Sequence, residues 1–101
     1  LHEPGALAWA PAAFGAYGGQ LFISDAGEWN NDTEATEAIA RDGKVYRVDA
    51  AGRLHEAVSG LANPVGLGFL GGGLAISDIN GDFHVGTQKF ADGFVYFVTP
   101  R

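Results

Sequence analysis

Gly18-Gly19-Gln20-Leu21-Phe22-Ile23-Ser24-Asp25 returns 53 positions later as Gly71-Gly72-Gly73-Leu74-Ala75-Ile76-Ser77-Asp78, with six of the eight residues identical. A glycine pair followed by alternating apolar residues describes a strand leaving a tight turn. Outward from this octet, Leu1, His2 and Glu3 recur at the same offset as Leu54, His55 and Glu56, Pro11 as Pro64, and Gly15 as Gly68. Downstream, Asp42, Gly43, Val45, Tyr46 and Val48 match Asp92, Gly93, Val95, Tyr96 and Val98 at an offset of 50. The first copy therefore carries three extra residues between its matched blocks, and such insertions fall in connections, where added length costs little. This places the long connections at 26–41 and 79–91. A period near fifty residues is the mark of a repeat architecture.

Composition narrows the class. The 101-residue chain is 47% hydrophobic and holds 16 glycines between short apolar runs, a pattern of many turns and few long helices. It has no cysteine, hence neither a disulfide framework nor a thiolate site, and no methionine, which suggests a trimmed terminus at residue 1. Twelve acidic against six basic side chains give a formal charge of −6, which argues against nucleic acid or an anionic membrane as partner. No apolar run reaches bilayer-spanning length.

Residues 20–24 and 44–48 read as strands, with copies at 73–77 and 94–98. Asp49-Ala50-Ala51-Gly52 reads as a hairpin turn into a further strand, 53–58, and residues 64–69 as a strand of small residues before the next glycine turn. Within 26–41, Asp32 or Thr33 could cap a short helical turn ending near Ala40. Four antiparallel strands in about fifty residues describe a β-propeller blade. A two-sheet sandwich of eight strands is the alternative, but it does not require internal repetition.

Asn63-Pro64-Val65-Gly66-Leu67, Gly73-Leu74-Ala75-Ile76-Ser77-Asp78 and Asp92-Gly93-Phe94-Val95-Tyr96-Phe97-Val98 together resemble the blade pattern of NHL-repeat propellers. They are similar also to blades of the bacterial glucose/sorbosone dehydrogenase-like and gluconolactonase-like six-bladed propellers. The resemblance covers nearly the whole chain and implies a blade, not an activity. A secreted or periplasmic location is what it implies weakly about compartment.

If Leu1-His2-Glu3 corresponds to Leu54-His55-Glu56, the chain opens on the last strand of a blade and ends at Arg101 after a third strand. The expected organisation is then one permuted two-blade unit: residues 1–10 as a strand completing a neighbouring blade, 11–58 as the first blade, and 59–101 as a second blade lacking its last strand. Two blades cannot close a ring, and an unpaired strand edge recruits another chain. Head-to-tail strand exchange among three chains would close six blades, so the expected self-partner is a C3 homotrimer. A fragment of a longer single-chain propeller is the competing expectation.

In such a fold the connections 26–41, 79–91 and 59–64 share one face. The ligand candidates there are Trp29, Asn30 and Asp32 from one blade and Asn80, Phe83 and His84 from the other: rings to stack on a ligand, oxygens to bond its hydroxyls. Asp78-x-Asn80-x-Asp82 has the alternate spacing of a calcium loop, making Asp78, Asn80 and Asp82 the metal candidates and Ca2+ the one cofactor considered. The match lacks the later bidentate Glu, and turn capping by Asp and Asn is the commoner use of such strings. Recurrence of Asp25 as Asp78 points to a structural duty in every blade, tying a strand end to the next loop. His2 and His55 read as surface residues, and Glu28, Asp32, Glu34 and Glu37 as a solvated acidic face.

No catalytic residue is assigned: there is no nucleophile elbow, phosphate loop or zinc signature. Neither resembling enzyme family's site carries over residue by residue. The expected function is a non-enzymatic oligomeric scaffold or binding module for a carbohydrate or other small polar ligand. The alternative is a metal-dependent lactonase, hydrolase or sugar dehydrogenase-like fragment using Asp78, Asn80 and Asp82.

Overall fold

A computed structural model describes residues 1–27, 42–78, 83–85, 88–90 and 94–100, with only the backbone described at 83–85 and 88–90. Its described residues are all-β apart from one 3₁₀ turn at Gly15–Tyr17. Four strands, β1 (Pro4–Trp9), β2 (Leu21–Asp25), β3 (Gly43–Val48) and β4 (Leu54–Leu61), form an antiparallel sheet in chain order. A second antiparallel sheet joins β5 (Pro64–Leu70), β6 (Gly73–Asp78) and β9 (Phe94–Val98), again in chain order. Between β6 and β9, β7 (Phe83–Val85) and β8 (Gln88–Phe90) pair as a two-stranded antiparallel ribbon inside what the sequence presents as a connection.

The strands expected at 20–24, 44–48, 53–58, 64–69, 73–77 and 94–98 are all present, their ends matching or displaced by one residue except at the end of β4, which runs three residues further. The turn after β3 forms as expected. Asp49 N–H donates to the Arg53 carbonyl at 2.9 Å, Gly52 N–H donates to the Asp49 carbonyl at 2.9 Å, and Gly52 takes the left-handed φ of 83° that a side chain would resist. The helical turn expected before Ala40 falls outside the described residues.

The structure corrects the phase of the repeat. Leu1-His2-Glu3 is not the counterpart of Leu54-His55-Glu56, which lies in β4: residues 1–3 lead into Pro4–Trp9, which was expected to complete a neighbour's blade and here pairs with β2 of its own chain. Pro4 faces Asp25 as Pro64 faces Asp78, Leu7 faces Ile23 as Leu67 faces Ile76, and Trp9 faces Leu21 as Phe69 faces Leu74. Both pairings carry a register shift at the same step, Pro4/Ala6 and Pro64/Gly66. The counterpart of residues 1–9 is therefore 61–69, at an offset of 60. The first sheet has four strands and the second three.

The core lies between the sheets. Directly opposed residues of an antiparallel ladder share a face. On one side Phe22, Val45 and Val58 of the first sheet meet Leu67, Phe69, Leu74, Ile76 and Val98 of the second. Phe14 reaches in from the β1–β2 connection, so that Phe14, Phe22 and Phe69 form an edge-to-face triangle with ring centroids 4.9–5.6 Å apart. Each such pair contributes about 0.5–1.5 kcal/mol beyond the area it buries. The seven residues that lengthen this connection relative to β5–β6 thus serve packing.

Candidate functional site

The ends of β2 and β6 are held by one device used twice. Asp25 accepts the backbone N–H of His2 at 2.8 Å on Oδ2 and that of Glu3 at 2.9 Å on Oδ1. Asp78 accepts the N–H of Ala62 at 3.0 Å on Oδ2 and that of Asn63 at 2.7 Å on Oδ1. Each carboxylate therefore clamps the backbone entering the first strand of its sheet to the end of the second. Both side chains are nearly fully buried, a placement a carboxylate tolerates only when its lone pairs are met. Asp25 makes a third bond, from Gly27 N–H at 2.9 Å, where Gly27 takes a φ of 89°. Burial works against its ionisation, but the N–H groups of Glu3, Gly27 and His2 outweigh it and hold the carboxyl below its ordinary value. Ser24 adds a local tie, its Oγ accepting Ala6 N–H at 3.0 Å.

These clamps sit at one end of the molecule. Gly43, where β3 begins opposite the Asp25 end of β2, lies against Pro64, where β5 begins: a Cβ on Gly43 would stand 2.6 Å from Pro64 Cδ and 2.7 Å from the Leu61 carbonyl oxygen. Gly15, at the far end of the first sheet, is close to Pro100 beyond β9. The two sheets therefore run side by side in the same sense, and the chain leaves Asp25 and Asp78 from the same end. Of the residues expected to meet there, Trp29, Asn30, Asp32, Asn80 and Asp82 lie outside the described residues, and Phe83 and His84 are described only as backbone of β7. Asp78 is placed, and both of its oxygens receive backbone N–H groups. Among the described residues no three metal-binding side chains converge.

At the opposite end, Asp49 organises the β3–β4 turn. Its Oδ1 accepts Ala51 N–H and Arg53 N–H, both at 2.9 Å, and Oδ2 lies 2.7 Å from His55 Nε2. The contact with His55 first, and the Arg53 N–H next, lower the Asp49 carboxyl from its ordinary value. His55 is half-exposed in this pairing, and His2 is exposed.

A cavity of about 300 Å³ is a feature that sequence reasoning missed. It opens between Arg47, Glu56 and Val58 of the first sheet, Val98 of the second and Pro100 beyond it, beside the outer edge of β9. In the first sheet β4 covers the equivalent edge of β3; among the described residues nothing covers β9. Arg47 lies 4.6 Å over the Tyr17 ring and donates from Nη1 to Gln20 Oε1 at 2.9 Å, so its charge is already engaged. Comparisons with family models, curated proteins and solved structures found no match.

Proposed function

We propose that this chain is a pair of β-propeller blades acting as a non-enzymatic binding module, with a carbohydrate or similar small polar ligand held at the end where the chain leaves Asp25 and Asp78. The observation that carries this is the duplicated clamp: two buried aspartates fix equivalent strand ends side by side. Rigid strand ends from which long connections issue are the usual foundation of a binding surface. Those connections supply Trp29, Asn30 and Asp32 from one repeat and Asn80, Phe83 and His84 from the other. Aromatic rings offer apolar faces to a sugar ring, while amide and carboxylate oxygens accept its hydroxyls.

Repeated stacking of sheets of one pattern supports the propeller reading. A structural use of Asp78 supports a module over a metal-dependent enzyme, because the carboxylate already serves the backbone.

Titration with glucose, galactose and their aldonic acids, followed by amide chemical shifts, tests the proposal. The expected result is saturable shifts in residues 28–32 and 79–84 that weaken in the Trp29→Ala variant. Absence of any saturable shift at high millimolar sugar would count against a carbohydrate site. A calcium titration separates the enzyme alternative, since a site-bound ion raises thermal stability by mass action.

A further inference from the structure

The internal interface joins unlike faces of like sheets. The first sheet packs through the face carrying Phe22, Val45 and Val58, and the second through the face carrying Leu67, Phe69, Leu74, Ile76, Tyr96 and Val98. The face of the first sheet equivalent to the latter carries Leu7, Trp9, Leu21, Ile23, Tyr46 and Val48. Five of these six positions are identical between the repeats, and the sixth exchanges tryptophan for phenylalanine. In the second sheet this face is packed against the first sheet except at Tyr96, which is exposed; in the first sheet it is open along β1, with Leu7 66% and Trp9 71% exposed, while Ile23 behind them is buried.

The other open surface is the reverse side of the second sheet, which carries Gly68, Ala75, Val95 and Phe97, together with Leu70. Its counterparts in the first sheet, Ala8, Phe22, Val45 and Arg47, lie on the side that packs internally. Val95 is 73% and Phe97 58% exposed, with the Phe97 ring lying over Gly73, whose missing side chain leaves room for it. Where the first sheet presents an aromatic ring on its second strand, Phe22, the second presents one on its third, Phe97.

We infer that copies of this chain associate head to tail, the Leu7/Trp9 face of one packing on the Val95/Phe97 face of the next. The two open faces are repeat equivalents of the two halves of an interface already formed inside the chain, which identifies a second copy as the occupant. Each copy keeps one open half of each kind, so the contact is heterologous and continues until rotation closes it. The association does not depend on the ligand site at the other end of the strands.

The test uses two charge substitutions on exposed residues that leave the internal core untouched, Trp9→Glu and Phe97→Glu, with mass read by light scattering and folding by circular dichroism. The wild-type chain should give a single whole multiple, above two, of the 10.5 kDa of one copy. Each variant alone should be a folded monomer, because one half of every contact is spoiled. Mixed one to one, the variants should recover a two-copy complex, since Trp9 of one meets Phe97 of the other. A monomeric wild type, an assembly that survives both substitutions, or a mixture that stays monomeric would each overturn the inference. If either variant fails to fold, Trp9→Ser and Phe97→Ser replace them with the same expected masses.

Discussion

Gly43 and Pro64 touch so closely that no β-carbon fits between them: one placed on Gly43 would come within 2.6 Å of Pro64 Cδ. This contact joins the start of β3 in one sheet to the start of β5 in the other. Gly43 is itself buried, with the Leu61 carbonyl oxygen on its other side. Gly43→Ala must therefore push backbone and a rigid ring apart. Overpacking of this kind costs about 1–3 kcal/mol. Urea unfolding should show that loss, whereas Gly52→Ala, in an open turn at a φ of 83°, loses stability through backbone strain alone.

The aromatic triangle gives the largest expected single loss. Phe22 is 2% exposed and touches both Phe14 and Phe69. Phe22→Ala removes a ring from the meeting of the two sheets and should cost about 3–5 kcal/mol. Thermal unfolding followed by near-ultraviolet dichroism would register it, and Phe22→Leu should recover most of the loss.

Asp25→Asn retains one acceptor oxygen and leaves one backbone N–H of the entering chain unmet. Leaving a buried donor unsatisfied costs about 1–3 kcal/mol, and Asp78→Asn should behave alike because it receives the same pair of N–H groups from the entering chain. Chemical denaturation of the two variants should thus give similar losses.

Acid should reveal Asp25 and Asp49. Both carboxyls are held below the ordinary 3.8 in the folded chain. A depressed carboxyl favours the fold when ionised, so its contribution is fully present above the unfolded value and disappears as pH falls through the folded one. Wild-type stability should decline as pH falls below 3.8 more steeply than that of the Asp25→Asn variant. Equal slopes in urea unfolding across that range would contradict the assignment.

Much of the fold was legible because glycine turns and alternating apolar residues are local signals. Strands β2, β3, β6 and β9 are marked by the duplicated octet, by the Lys44-to-Val48 alternation and by their copies, and β5 by its small residues before a glycine turn. The phase of the repeat was not legible. Leu-His-Glu at 1–3 and 54–56 is an identical triplet, but one copy precedes a strand and the other lies inside β4. The true counterpart, Leu1-x-x-Pro4-x-x-Leu7 against Leu61-x-x-Pro64-x-x-Leu67, was hidden by exchanges among small residues and by seven residues added before β2. Those additions deliver Phe14 to the core, a packing role that no turn signal announces. Phe83 and Phe90, which face each other across the β7–β8 ribbon, could have marked a hairpin within 79–91.

The site was legible in part for the same reason. Recurrence of Asp25 as Asp78 pointed to a shared structural duty, but the paired backbone bonds run to the chain entering each sheet and not to the next loop, which Asp25 alone also meets, through Gly27. The cavity beside β9 had no sequence signal, because Arg47, Glu56, Val98 and Pro100 are brought together only by stacking of the two sheets.

The Asp clamps fix equivalent strand ends in the two sheets, and amide hydrogen exchange measures them directly. The N–H groups of His2, Glu3, Ala62 and Asn63 should all exchange slowly in the wild-type chain, and Asp25→Asn should speed exchange at His2 or Glu3 while leaving Ala62 and Asn63 protected. Fast exchange at His2 and Glu3 in the wild type, unchanged by Asp25→Asn, would contradict the clamps.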